Sequence, residues 1–447
     1  MKKIAYALGA LLGLISTTAG AWGNHTLAAY RALEAMPEVA NAAPVTVEAL
    51  ESFLKAEEKT IEALLASHEA WAAANLQSYP PRPSKLAFIA NLNRSDEARR
   101  LAFTHALRIA PNSRFALFIQ PDPKLNASPA PRLASETVTT LPMLGNASQK
   151  FQPLKVGDTV APLAVAASAA DEPDYGLDIN LFEDSPSEWG KMYGFGTLPF
   201  GNPLLVYGSQ APFHMGFMHE NKVLYTAAPF IKRTFPQLRV YQYSTLASLA
   251  FRTGHPYWGW RFTGLALHYI QDLTQPYHAS LSPGDSTLKL LAINAMAMAG
   301  LSGMKNDMVT LLSNRHLALE KYQSEVLLNS ALAKQDTPID QALRQTDKDA
   351  SYPEWHDLYL RNVVSAQAAS YGNRIAQTLV DSMPPGFVSD PNYDFGANEE
   401  RVTLVKELVN VPTEAKLRLD ALVAELLSNF GAHSRNAVRG ILKASNR

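Results

Sequence analysis

The stretch Ala266–His278, ALHYIQDLTQPYH, combines residue types that bind metal ions. His268 and Asp272 are four residues apart, so they share one face if this stretch is helical. Pro276 predicts that the helix stops just before it, because proline disfavours helical backbone in the preceding residue and lacks an amide proton. His278 follows this break. Two imidazoles and a carboxylate at a helix end form a donor set that suits zinc.

The chain contains no cysteine, so a zinc site must use histidine, carboxylate or main-chain ligands. Structural zinc sites are usually rich in cysteine, whereas catalytic sites keep one coordination position open for water or substrate. The composition therefore favours a catalytic metal site. It also excludes disulfide bonds and a cysteine nucleophile.

Further candidate ligands are spread along the chain. His316 and Glu320 are four residues apart and share one helical face. His214 follows a long acidic segment. If Trp22 begins the mature protein, it offers a free α-amine together with its own carbonyl oxygen. His25 lies close to it in the same predicted helix.

Four motifs resemble those of the trinuclear-zinc phosphodiesterases. This superfamily unites bacterial zinc-dependent phospholipases C with plant and fungal single-strand-specific nucleases. The family element H-(Y/F)-x-x-D-x-x-Q-P-x-H is reproduced in full at 268–278 and is quite specific. The other motifs are short but occur in the family's order, so the resemblance spans about residues 22–320. They are WGNH at 22–25, APFH at 211–214 and HLALE at 316–320.

The resemblance implies about three Zn²⁺ ions and a role for each matched residue. Trp22 and His25 correspond to ligands of one ion, although they lie closer together in this chain than in the family. Asp272 corresponds to a carboxylate that bridges two ions. The implied metal ligands are Trp22, His25, Asp174, His214, His268, Asp272, His278, His316 and Glu320.

An acidic ligand or general base upstream of His214 is also implied by the resemblance. Asp174 in DEPDYG is the first choice and Asp178 is the second, and both lie further from the histidine than in the family. His219 is the alternative to His214. The Asp174-Tyr175 pair is similar to one in the phospholipase branch. Tyr175 is therefore a candidate for binding a cationic head group through its aromatic face.

The resemblance implies a zinc-dependent phospholipase C that hydrolyses glycerophospholipids such as phosphatidylcholine through a metal-bound hydroxide. Asp174 and Asp272 are its expected catalytic residues. The net charge of −1 and the apolar stretch 290–301 favour a phospholipid at a membrane surface over nucleic acid, which binds to basic grooves. A single-strand-specific nuclease is the alternative. A non-catalytic exported helical binding protein is a third, less favoured interpretation.

Apolar residues recur at helical spacing through most of the chain and predict a mainly α fold. We expect one catalytic domain over residues 22–447, in a monomer. The proline-rich region 110–203 predicts an irregular insertion in this domain. The apolar segment 289–312 is too interrupted by glycine to span a membrane, and it predicts either a buried helix or a surface that touches a membrane.

Residues 1–21 have the pattern of a secretory signal peptide. Lys2 and Lys3 precede a short apolar run, and Ala19-Gly20-Ala21 fits a cleavage site between small residues. Cleavage after Ala21 would leave Trp22 as the first residue. The mature protein is then expected to be secreted or periplasmic, without a transmembrane segment.

Overall fold

The computed structural model describes residues 22–125, 132–141, 150–205 and 207–446. Helices contain 63% of the residues and strands contain 2%, which confirms the predicted mainly α class. Among the described helices, none has the length and apolar character needed to cross a bilayer. The predicted signal peptide at 1–21 lies outside the described residues.

The helices range from single turns to a C-terminal helix of 33 residues. The first are α1 His25–Leu33, α2 Pro37–Ala40, α3 Leu50–Ala56, α4 Glu58–Asn75, α5 Asp96–Leu107, α6 Pro162–Ala169, α7 Glu188–Tyr193 and α8 Ala211–His214. Next come α9 Lys222–Ala227, α10 Pro236–Arg252, α11 Pro256–Asp272, α12 Pro276–Ala279, α13 Thr287–Met298, α14 Gly303–Ala333 and α15 Pro338–Arg344. A π-helix at Leu360–Ser365 precedes α16 Ala366–Ser370, α17 Gly372–Ser382, α18 Pro385–Val388, α19 Phe395–Asn398, α20 Leu404–Glu407 and α21 Thr413–Ser445.

Helix α11 is the central helix of the fold. Every residue after Pro256, its first residue, is buried, as expected for a helix that is covered on all sides. It packs against α10, α6 and α21. The helix ends at Asp272, and a new turn begins at Pro276, where the Gln275 side chain accepts the amide N–H of Tyr277. The break predicted from the proline is therefore present.

The described residues form two large apolar cores. One is built around α10 and α11, and the other is built around α14 and the middle of α21. Helix α1 contributes to both, because Leu33 packs in the first core and Leu27 packs in the second. Residues at the start of α1 are thus held between the two cores.

The described residues include four two-residue strands, which form two small antiparallel sheets. Strand β1, Val45–Thr46, pairs with β4, Thr159–Val160, and β2, Phe118–Ile119, pairs with β3, Gln152–Pro153. Three of these strands and helices α6 and α7 lie within the predicted insertion 110–203. Helix α6 packs against α1 and α11, so this region also supplies part of the core. Its origin as an insertion stays a prediction.

Candidate metal centre

Within the described part of the chain, three groups of side chains come close enough together to hold metal ions. In each group, one ligand atom per residue lies within 4.8 Å of the others. The first ligand group is His25, His268 and Asp272, the second is Asp174, His214 and His268, and the third is His278, His316 and Glu320. The structure thus brings together the eight side chains that were predicted as ligands besides Trp22.

The first ligand group joins the start of α1 to the end of α11. Asp272 Oδ1 lies 3.3 Å from His25 Nε2, and Asp272 Oδ2 lies 3.3 Å from His268 Nε2. The two imidazole centroids are 4.3 Å apart. The other nitrogen of His25, Nδ1, lies 2.9 Å from Gln271 Oε1. The two oxygens of Asp272 therefore face two different imidazoles.

The second ligand group surrounds His214, which ends the short helix α8. Its Nδ1 lies 2.9 Å from Asp272 Oδ2 and 3.0 Å from His268 Nε2. Asp174 comes from a 3₁₀ turn at Glu172–Tyr175, and its Oδ1 lies 3.8 Å from His214 Nδ1 and 3.7 Å from His268 Nε2. Asp272 and His268 thus connect the first and second ligand groups.

The third ligand group joins α12 to α14. His278 Nε2 lies 2.9 Å from His316 Nε2, and Glu320 Oε1 lies 2.6 Å from the same atom of His316. His316 and Glu320 are one helical turn apart, as their spacing predicted. Gln275 Nε2 donates to Glu320 Oε1 at 3.1 Å and orients that carboxylate.

Backbone carbonyl groups set the orientation of two imidazoles. His268 Nδ1 lies 2.7 Å from the carbonyl oxygen of Ala170, and His278 Nδ1 lies 2.7 Å from that of His214. A carbonyl oxygen only accepts hydrogen bonds, so each Nδ1 carries the proton. In the neutral ring, Nε2 then offers its lone pair to the ligand group. This arrangement is typical of histidines that bind metals.

Asp178 lies on the far side of His214. Its Oδ2 is 3.6 Å from His214 Nε2 and accepts the Tyr269 hydroxyl at 2.6 Å. Its Oδ1 accepts two N–H groups of Arg239, at 2.9 and 2.7 Å. Burial raises its pKa, but the Arg239 charge lowers it to about 2. The structure therefore places Asp174, and not Asp178, among the ligand atoms.

Several atoms of the centre are buried and lack a hydrogen-bond partner. They include His25 Nε2, Asp174 Oδ1 and Asp272 Oδ1, all of which face the first two ligand groups. A buried polar atom without a partner costs free energy, and a cation bound between these atoms would remove that cost. Imidazole nitrogens and carboxylate oxygens are ligands for divalent transition metals. The residues present thus fit a metal ion.

Burial also controls the charges of the ligands. It raises the pKa of Asp174 to about 7 and that of Glu320 to about 8. It lowers the pKa values of His268 and His316 to about 3, so these rings are neutral and able to donate a lone pair. Burial likewise lowers the pKa of His25, but the hydrogen bond and charge of Asp272 raise it to about 9. Close acidic groups thus favour positive charge at this centre.

Trp22 is anchored next to the centre. Its side chain is fully buried in the second core, and the indole N–H donates to Thr274 Oγ1 at 2.9 Å. Thr274 follows the end of α11, so the first described residue lies beside the end of that helix. Coordination by a free amine of Trp22 stays a prediction.

Two other candidates have different surroundings. Tyr175 is buried, its ring packs edge-on against Phe151, and its hydroxyl donates to Asp171 Oδ2 at 2.7 Å. Its predicted contact with a lipid head group stays untested. His219 Nε2 lies 2.8 Å from the carbonyl oxygen of Arg361, and His219 belongs to none of the three ligand groups.

Sequence reasoning missed the two glutamines that support the ligands. Gln271 contacts His25, and its amide donates to Ser434 Oγ at 3.3 Å, while Gln275 contacts Glu320. The signal that could have revealed Gln271 is a polar residue on a helix that is otherwise mostly apolar. Buried amides need partners, so such a residue indicates a neighbouring polar site.

A cavity of about 840 Å³ lies away from the centre, between α4, α10 and α21. Trp71, Trp355 and Arg439 are among the residues that line it, and none of its lining residues belongs to the three ligand groups. The arrangement of metal ligands is therefore separate from this cavity.

The chain matches no known family model, no curated protein and no solved structure. The assignment of a metal centre therefore rests on the geometry of the candidate ligands. This geometry consists of the three converging groups, the imidazoles oriented by backbone carbonyls and the buried polar atoms that lack partners.

Proposed function

We propose that this chain is a zinc-dependent phosphodiesterase of the phospholipase C type, which hydrolyses glycerophospholipids such as phosphatidylcholine. The observation that carries the proposal is the convergence of three ligand groups, two of which share His268 and contact Asp272. Adjacent ligand sets that contact one carboxylate suit a cluster of ions, and paired metal ions recur in enzymes that cleave phosphate esters. The motif resemblance to trinuclear-zinc phosphodiesterases implies that the metal is zinc and that about three ions are bound.

Zinc ions held by these residues would polarise the phosphate and lower the pKa of water close to it. Asp174 is placed to accept the proton of the attacking water, because its Oδ1 lies 3.7 Å from His268 Nε2 at the second ligand group, and bound zinc ions would keep its carboxyl group ionised. Its side chain is 21% exposed, so water reaches it. Asp272 orients His25, His214 and His268 around the reaction site.

Export is part of the same proposal. The predicted signal peptide at 1–21 would direct the chain to the secretory route, and its removal would free the amine of Trp22. The net charge of −1 supports a lipid substrate, since proteins that bind single-stranded nucleic acid use a positively charged groove.

Metal analysis of the mature protein, together with one matched pair of variants, tests the proposal. We expect about three zinc ions per chain in the wild type. Asp272→Asn should lose zinc and lower hydrolysis of phosphatidylcholine about a thousandfold or more, because the ligand groups lose their shared carboxylate. Asp340→Asn is the control, since Asp340 is equally buried but pairs with Arg31 and caps α15. It should lower stability without changing the zinc content.

Each other result has a definite meaning. Full zinc content and activity in Asp272→Asn would contradict the assignment of the centre. Cleavage of single-stranded DNA without hydrolysis of phosphatidylcholine would identify the nuclease instead. A wild-type protein without zinc and without activity would support a non-catalytic binding protein.

A further inference from the structure

His25 is held on both sides by neighbouring residues of α11. Its Nε2 lies 3.3 Å from Asp272 Oδ1 in the first ligand group, and its Nδ1 lies 2.9 Å from Gln271 Oε1. All three side chains are fully buried. The Nδ1 atoms of His268 and His278 contact backbone carbonyl groups, whereas His25 uses a side-chain amide for the same contact. A side-chain partner can be replaced by substitution, so its effect on the ligand is measurable.

The C-terminal helix α21 holds the amide of Gln271. Gln271 Nε2 donates to Ser434 Oγ at 3.3 Å, so the amide nitrogen faces α21 and the amide oxygen faces His25. Phe430 lies one helical turn before Ser434, and its ring centroid is 6.5 Å from that of His25. Both residues of α21 are fully buried. One face of this helix thus contacts His25 directly and supports it through the glutamine.

The orientation of this amide determines which nitrogen of His25 carries the proton. An amide oxygen only accepts hydrogen bonds, so the observed orientation places a proton on Nδ1. In the neutral ring, Nε2 then directs its lone pair at the first ligand group, where it lacks a hydrogen-bond partner. A reversed amide would donate to Nδ1 and would require the proton on Nε2, the atom that faces Asp272. That tautomer has no lone pair for a cation in the first ligand group.

Neither Gln271 nor Ser434 is implied by the motifs that resemble trinuclear-zinc phosphodiesterases. Gln271 occupies one of the unspecified positions between the histidine and the aspartate of H-(Y/F)-x-x-D. Ser434 lies far beyond residue 320, where the resemblance ends. The contact between α21 and the ligand histidine is therefore visible only in the structure.

We propose that Gln271 is a positioning residue, which holds His25 in the tautomer and orientation that bind a metal ion, and that Ser434 holds Gln271 in place. The C-terminal helix is then part of the support of the first ligand group. The proposal rests on the metal-binding part of the proposed function, and it does not depend on which phosphodiester is the substrate. Loss of a partner behind a ligating histidine typically lowers metal affinity about 10- to 100-fold.

Zinc affinities of Gln271 variants test the positioning role. Gln271→Leu removes the acceptor and should lower the affinity for one zinc ion about 10- to 100-fold, measured by competition with a chromophoric chelator. Gln271→Glu keeps an oxygen that accepts the Nδ1 proton, so it should restore most of this affinity. Gln237→Leu is the matched control, since the buried amide of Gln237 is also bonded at both ends, to the backbone of Asp357 and Arg361. It belongs to none of the ligand groups, so its loss should lower stability and leave zinc binding unchanged.

Ser434→Ala tests the link to α21 with the smallest change, because it removes only one hydroxyl group. It should lower the same zinc affinity about 2- to 10-fold, the effect of one neutral hydrogen bond. In the Gln271→Leu background it should have no further effect on zinc affinity, since Ser434 acts through Gln271. The ¹⁵N NMR spectrum of the zinc-loaded wild type reports the tautomer directly and should show the proton of His25 on Nδ1.

Three results would each overturn the proposal. The first is wild-type zinc affinity in Gln271→Leu or, if that variant does not fold, in Ser434→Ala. The second is an equal loss from Ser434→Ala with and without the glutamine, and the third is zinc bound to His25 through Nδ1. A wild type without zinc would refute both this proposal and the proposed function. If zinc affinities change as expected but the wild type hydrolyses neither phosphatidylcholine nor single-stranded DNA, the proposed function fails and the positioning role stands.

Discussion

His214 lies between two aspartates with different partners. Asp272 faces its Nδ1 together with the other ligands, whereas Asp178 faces its Nε2 from behind. Asp178 is fully buried and paired with Arg239, so its position is fixed. A carboxylate placed behind a ligating imidazole holds the ring in the orientation that metal binding needs. Asp178 Oδ2 lies 3.6 Å from His214 Nε2, and we infer that its charge acts on the centre through this imidazole.

We predict that Asp178→Asn lowers zinc affinity about 10- to 100-fold, because the amide no longer provides a charged acceptor behind His214. Competition with a chromophoric chelator measures the affinity, and the visible spectrum of the Co²⁺-substituted protein reports the ligand geometry. Glu58→Gln is the control, since it breaks another buried carboxylate–arginine pair, with Arg99, away from the centre. Equal zinc affinity in Asp178→Asn and the wild type would show that Asp178 only stabilises the fold.

The ligand pairs His268/Asp272 and His316/Glu320 were predictable, because a spacing of four residues places both side chains on one face of any helix. The spacing did not predict which of Asp174 and Asp178 faces the other ligands. This choice depends on the 3₁₀ turn Glu172–Tyr175, which ends at a glycine with a φ of 108° and sends the two carboxylates to opposite sides of His214. A turn of this kind has no periodic pattern in the sequence.

At the scale of elements, helices were easier to predict than their interruptions. The proline that ends α11 is a local signal, and the structure shows the break close to the predicted place. By contrast, apolar residues continue at helical spacing through 352–383, whereas the structure has the π-helix Leu360–Ser365 followed by α16 and α17. Such interruptions are set by packing against other helices, which the local pattern does not contain.

Gly264 determines how closely α11 approaches α6. A Cβ atom at this position would lie 2.6 Å from Ala169 Cβ and would also collide with the carbonyl oxygen of Ala166. Helix α6 ends just before Ala170, whose carbonyl orients His268. If these two helices moved apart, the Ala170 carbonyl would shift, and the orientation of His268 in the candidate metal centre would change.

We predict that Gly264→Ala lowers the free energy of unfolding by about 1–3 kcal/mol, through overpacking, and also weakens zinc binding. Denaturant unfolding and chelator competition measure the two effects. Gly303→Ala is the matched control, because no atom lies within 4 Å of the added Cβ at the start of α14. It should change stability by at most about 1 kcal/mol, in the favourable direction. Unchanged zinc affinity in Gly264→Ala would separate the packing of α6 from the function of His268.

At the scale of the whole molecule, the ligands connect segments that are far apart in sequence. His25 comes from α1, His278 from α12, and His316 and Glu320 from α14. Helices α1 and α12 contribute to both apolar cores, and α14 contributes to the second. The sequence could suggest this convergence only through resemblance to a family, because helical spacing says nothing about which helices meet. A metal ion at this centre would cross-link the two cores.

Removal of the metal should therefore destabilise the entire fold. Each bound ion contributes about 2.7 kcal/mol when its free concentration is 100 times its dissociation constant, so several ions together should raise the unfolding temperature clearly.

The stabilisation by zinc should depend on pH. Without metal, the pKa of Glu320 is raised to about 8 by burial, so below that pH a proton must leave before the carboxylate binds a cation. His25, with a pKa raised to about 9, must likewise lose a proton. Zinc affinity should thus rise with pH, and the zinc-induced shift of the unfolding temperature should be larger at pH 8 than at pH 6. Calorimetry of EDTA-treated protein with and without added Zn²⁺ measures this shift, and Mg²⁺ is the control because it prefers oxygen ligands. A shift that is absent, or that is as large at pH 6 as at pH 8, would contradict a zinc centre built from these buried groups.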